Sequence, residues 1–106
     1  MANSSKNLPA IFFGHGSPMN AIENNSYTET WRELVKNISP PKSILVISAH
    51  YETAGTKITA NEIQKTIHDF YGFPAELFNV KYQPKGDLEL AKIIQKLIPE
   101  SKLDDS

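Results

Sequence analysis

The chain's 106 residues suffice for one small domain, which at this size buries about two-thirds of the surface its unfolded form exposes. Eleven basic side chains nearly balance twelve acidic ones, with no block of either sign, so the electrostatic footprint of a nucleic-acid binder is excluded. The absence of cysteine excludes disulfides, thiolate metal sites and cysteine nucleophiles.

Residues 1–7 are polar, and the longest apolar run, 44–47, is far too short to span a bilayer. The expectation is a soluble, cytoplasmic chain with no membrane partner, frayed at residues 1–6 and 101–106. Residues 9–13 form an apolar run ending at Gly14 and read as a buried strand. A helix follows, because Tyr27, Trp31, Leu34, Val35 and Ile38 make one apolar stripe at helical period. Asn25 or Ser26 caps its start, and Pro40-Pro41 stops it. Tyr27 and Trp31 are assigned to the core. Residues 44–47 are apolar on both faces and mostly β-branched, which suits the middle of a parallel sheet.

Further along, residues 56–60 alternate weakly and residues 78–82 alternate clearly, so both read as strands. Residues 66–74 between them form a loop rich in aromatic rings. A second helix starts at Asp87, buries Leu90, Ala91, Ile94, Leu97 and Ile98, and ends at Pro99. The predicted class is α/β, a mostly parallel sheet with flanking helices.

The chemistry concentrates at strand ends, where open α/β sheets bind ligands. His15 lies in Gly14-His15-Gly16-Ser17-Pro18, two residues past the first strand, and His50 lies in Ser48-Ala49-His50, three past the second. Two imidazoles so presented can grip one metal ion of the Fe(II) or Zn(II) type. The competing reading is that His15 only bonds a backbone carbonyl in a glycine-rich turn. A serine-hydrolase elbow fits poorly, because the histidine occupies the central position that the nucleophile needs. A phosphate loop fits no better, since no lysine follows the glycines and Pro18 removes a backbone donor. Glu52 is placed to orient His50 or reach the metal, although a solvated carboxylate is the default there. His68 beside Asp69, with Phe70, Tyr71 and Phe73 close by, suits a pocket for a flat aromatic ligand and suits an aromatic plug equally well.

Three ordered blocks carry a family resemblance. Pro9-Ala10-Ile11-Phe12-Phe13-Gly14-His15-Gly16-Ser17-Pro18-Met19-Asn20, followed by Tyr27 and Trp31, resembles the opening of DODA-type extradiol dioxygenases. These are class III aromatic ring-opening enzymes of the LigB-like superfamily. Pro41-Lys42-Ser43-Ile44-Leu45-Val46-Ile47-Ser48-Ala49-His50-Tyr51-Glu52-Thr53 and Thr66-Ile67-His68-Asp69-Phe70-Tyr71-Gly72-Phe73-Pro74 continue the likeness, which runs from about Leu8 to about Leu97. The resemblance implies His15 and His50 as metal ligands and non-haem Fe(II) as the cofactor, with Zn(II) as the alternative. It further implies a catecholic or DOPA-like substrate cleaved with O2. His68 is then the candidate for proton handling, and Ser17, Asp69 and Tyr71 are candidates for the substrate pocket. It also implies a longer protein with further metal-site histidines in a C-terminal half. Residues 1–106 therefore read as one partial domain, the N-terminal portion of a larger catalytic domain. Such a piece is expected to leave an apolar face or a sheet edge uncovered. The rival readings are a catalytically incomplete remnant that self-associates and a zinc hydrolase on the same scaffold.

Overall fold

The structure of the chain, a computed structural model, describes residues 8–106. The expected fraying of residues 1–6 lies outside them. Two compact units are present, one built from the described residues up to Lys42 with Tyr71–Val80, the other from Ser43–Phe70 and Lys81–Ser106.

In the first unit, Ser17 and Pro18 start a 3-10 turn over Pro18–Ala21, with the Ser17 hydroxyl accepting from the Met19 amide. Helix α1 spans Ser26–Lys36. Asn25 and Thr28 form a reciprocal capping box at its start, satisfying amides that have no partner inside a first turn. Helix α2, Ala75–Phe78, packs on the 3-10 turn and supplies Leu77, which is 2% exposed. Phe13 meets Trp31 edge-on, with ring centroids 5.9 Å apart.

The second unit contains the sheet. Strands β1, Lys57–Thr59, and β2, Lys102–Asp104, pair in parallel, with Lys57 opposite Lys102 and Thr59 opposite Asp104. Helix α3, Leu88–Leu97, starts at Asp87, whose carboxylate accepts from the Leu90 amide and from the Ser43 hydroxyl. It packs on both strands and buries Ala91. Ser101 is buried at the turn into β2, where its amide and hydroxyl both donate to the Ile98 carbonyl. An antiparallel bridge joins Ile63 to Lys85. Among the described residues, no helix is long and apolar enough to cross a membrane.

The α/β class is as expected, and its elements differ in several places. Residues 9–13 and 44–47 are not strands, and Phe12 and Ile47 are 97% and 94% exposed. A strand apolar on both faces needs partner strands and a cover on each side, and neither run is paired among the described residues. The anticipated uncovered apolar surface is therefore present. Residues 78–82 do not form a strand because α2 occupies Phe78 and Asn79 ends that helix, its amide reaching Ala75 and Glu76 carbonyls. The C-terminal residues expected to fray include β2, which α3 and β1 hold in place. The α1 stripe is only partly covered: Trp31 and Ile38 are half-buried, whereas Tyr27, expected in the core, is 67% exposed and Val35 58%, and Thr28 is the buried position. The capping box draws Thr28 against Asn25 and so turns Tyr27 outward. On α3, Ala91 is buried and Leu90 and Ile94 are half-buried, while Leu97 and the following Ile98 lie on the surface.

Candidate functional site

His15 stands in a turn that depends on glycine, since Gly16 adopts the left-handed region at φ 64°. The His15 Nδ1 atom lies 2.9 Å from the Gly16 carbonyl oxygen. A carbonyl can only accept, so Nδ1 is the donor in this bond. The carbonyl bond anticipated as a rival to metal binding is thus present, and it orients the ring rather than competing for Nε2. The backbone is also held, because Asn20 donates to the His15 carbonyl at 2.7 Å and accepts from Asn25 Nδ2 at 2.7 Å. Asn25 simultaneously caps α1 through its Oδ1. The helix start and the histidine turn therefore share one hydrogen-bond network.

An open cleft of about 460 Å³ lies beside this turn, bounded by residues 14–17, Asn20, Asn25 and Tyr27. Ser17 lines it, with its hydroxyl engaged at the 3-10 turn. Sequence reasoning missed Asn20 and Asn25, and it placed Tyr27 in the core. The Asn25 capping signal was legible, but its second bond to Asn20 was not. Tyr71, in the same unit, is 91% exposed and is not among the residues bounding the cleft.

His50 belongs to the second unit. The turn that carries it is closed by its own amide donating to Ser48 Oγ at 3.1 Å and by the Tyr51 amide donating to the Ser48 carbonyl at 3.2 Å. Its Nδ1 lies 2.6 Å from Asp69 Oδ2. The carboxylate on the ring is thus Asp69, while Glu52 is exposed. Tyr51 donates its hydroxyl to Asp104 Oδ2 at 2.8 Å and ties the turn to β2. Burial first, and then the Asp104 carboxylate, push the Tyr51 hydroxyl up to about 12. Bonds from Ser106 first, and then from Tyr51, hold Asp104 at about 2. His68 is half-buried and meets Phe70 edge-on, with ring centroids 5.9 Å apart.

The structure thus brings His15 together with Ser17, and His50 together with Asp69. Both imidazoles suit a borderline divalent metal, since each has its Nδ1 occupied by an acceptor and Nε2 as the second ring nitrogen. Among the described residues, no group of three or more His, Cys, Asp or Glu side chains could hold a metal ion. Three protein ligands are the usual minimum for a non-haem iron site.

The profile of the catalytic LigB subunit of aromatic ring-opening dioxygenase matches residues 9–105, and the chain belongs to this family. It is 46% identical over 95 residues to the 4,5-DOPA dioxygenase extradiol of Escherichia coli (strain K12), covering 90% of this chain and 35% of that protein. It is 44% identical over 103 residues to the 4,5-DOPA dioxygenase extradiol of Beta vulgaris, covering 92% of this chain and 38% of that protein. A protein of the same description from Mirabilis jalapa is 35% identical over 97 residues, with 88% and 36% covered. The chain spans little more than a third of the length of these curated relatives. Membership of the family suggests a metal cofactor.

Proposed function

We propose that residues 1–106 form one partial catalytic domain of an extradiol dioxygenase that opens a catecholic or DOPA-like ring with O2. The observation that carries this reading is the family match over residues 9–105. The orientation of both imidazoles supports it. In this proposal His15 and His50 are the metal ligands this chain supplies, each through Nε2. Fe(II) held by these residues would supply the redox chemistry by which dioxygen reacts with a catechol, both oxygen atoms entering the ring-opened product. Zn(II) has no redox chemistry to offer and is the weaker candidate for this reaction. His68 holds or moves a proton of the substrate hydroxyls, and its half-buried ring on Phe70 suits that role. Ser17, Asp69 and Tyr71 supply polar and aromatic wall to the substrate pocket. The cysteine-free composition suits a cytoplasmic setting.

Anaerobic calorimetric titration with Fe(II) and with Zn(II), beside the His15→Ala/His50→Ala double variant, tests the ligand assignment. One-to-one binding lost in the double variant is expected. Equal heats from both proteins would refute it. Oxygen uptake with catechol or DOPA and Fe(II) tests the reaction, and a protein binding Fe(II) through both histidines but consuming neither substrate would overturn the substrate class. A second reading, self-association of the chain, is favoured by the exposure of Phe12 and of residues 44–47. Sedimentation showing a monomer at every concentration would remove it.

A further inference from the structure

We propose that Asp69 is a positioning residue for His50, fixing the ring with its proton on Nδ1 so that Nε2 is the nitrogen a metal would take. The metal half of this inference rests on His50 being a ligand, as proposed above. The argument starts from the 2.6 Å separation of Nδ1 and Oδ2, between residues 19 apart in sequence. An ionised carboxylate only accepts, so the shared proton belongs to Nδ1, and a charge-assisted bond of this length fixes the ring plane as well as the tautomer.

Both partners arrive on anchored backbone. On the His50 side, two bonds to Ser48 close the turn and Tyr51 ties it to Asp104. On the Asp69 side, Thr66 is clasped to Tyr82, donating to its carbonyl at 2.6 Å and accepting from its amide at 2.8 Å. Between that clasp and Asp69, the His68 ring rests against Phe70. The side chains of His50 and Asp69 are 53% and 43% exposed, and ion pairs in that setting add little to stability. The pair therefore acts on ring orientation and ligand basicity, the two properties a carboxylate behind a metal-binding histidine controls.

The test uses the 106-residue chain and its Asp69→Ala, Asp69→Asn and His50→Ala variants. Long-range nitrogen-15 NMR near pH 8, without metal, reads the His50 tautomer directly, and Zn(II) titration reads affinity. The expected result is an Nδ1–H tautomer in the wild type, lost in Asp69→Ala, with Zn(II) affinity falling roughly 10- to 100-fold. Asp69→Asn keeps an acceptor oxygen and is expected to retain the tautomer, with a smaller loss of affinity. An Nε2–H tautomer in the wild type, or tautomer and affinity both unchanged in Asp69→Ala, would overturn the role of Asp69. If His50→Ala weakens Zn(II) binding while Asp69→Ala does not, the ligand reading stands and the positioning role falls. Unchanged Zn(II) affinity in His50→Ala would instead remove the ligand reading, and with it the metal half of this inference.

Discussion

Gly86 is the position at which the smallest added group should do the most damage. A β-carbon built there would lie 2.0 Å from the Asn61 carbonyl oxygen and 2.6 Å from Gln64 Nε2. The amide end of Gln64 can swing away, but a backbone carbonyl cannot, so the two segments must part by more than about 1 Å to restore ordinary contact. Two backbone bonds flank that point, from the Gly86 amide to Glu62 at 2.8 Å and from the Gln64 amide to Pro84 at 2.9 Å. At about 1 kcal/mol each they set the scale of the loss. The reduced entropy of the unfolded alanine chain returns ~0.4–1 kcal/mol. Gly86→Ala is thus expected to destabilise by roughly 1–2 kcal/mol, which at a urea slope of about 1 kcal/mol/M lowers the midpoint by roughly 1–2 M. Gly14→Ala is the control, because a β-carbon there meets nothing within 4 Å. Its stability should stay within about 0.5 kcal/mol of the wild type. A Gly86→Ala midpoint at or above the wild type would refute the close-approach argument, as would an equal loss at Gly14.

Asn25→Ala removes the α1 cap and should destabilise by about 1 kcal/mol. Asn25→Asp keeps the cap and loses the bond to Asn20, so it should restore stability while still loosening the His15 turn, seen as faster amide exchange around residues 15–17. Burial of Tyr51 together with its bond to Asp104, and the bonds from Ser106 and then Tyr51 to Asp104, predict stability lost at both pH extremes. The depressed carboxyl of Asp104 contributes fully above its unfolded value of about 4, and that share is lost as pH falls toward 2. The raised hydroxyl of Tyr51 contributes fully below its unfolded value of about 10, and that share is lost as pH rises toward 12. Urea midpoints across pH should therefore show shallower acid and alkaline limbs in Asp104→Ala, and parallel profiles would contradict the bond between Tyr51 and Asp104. Ile47→Lys, at a side chain 94% exposed, should leave stability within about 0.5 kcal/mol of the wild type while suppressing any concentration-dependent sedimentation.

Local signals carried the helices. Asn25 and Asp87 are capping residues in front of apolar stripes, and α1 and α3 begin where those caps stand. Strands were legible only where the chain could pair them. Residues 44–47 have the composition of a central strand, but pairing is a property of neighbours that the run itself does not contain. Conversely, Lys102–Asp104 has no apolar alternation, and it is a strand because α3 brings it back beside Lys57–Thr59. The same division holds at the candidate site. Both histidines stand out by their small neighbours, whereas the carboxylate behind His50 lies 19 residues away and was assigned to a pocket wall.

The two histidines are held by different chemistry, and the difference bears on what each could contribute as a ligand. His15 gives its Nδ1 proton to a neutral carbonyl one residue on, inside a turn whose geometry Gly16 permits. That bond sets direction, but it transfers little charge to the ring. His50 gives its proton to a carboxylate, which feeds electron density through the imidazole and makes Nε2 the stronger donor. One imidazole is therefore oriented by local backbone and the other by a tertiary contact whose two sides are tied down by the Thr66–Tyr82 clasp and the Tyr51 anchor. Changes that loosen the second unit should consequently affect the chemistry of His50 before its position in the chain changes. The His15 turn rests on its glycine and its asparagine network.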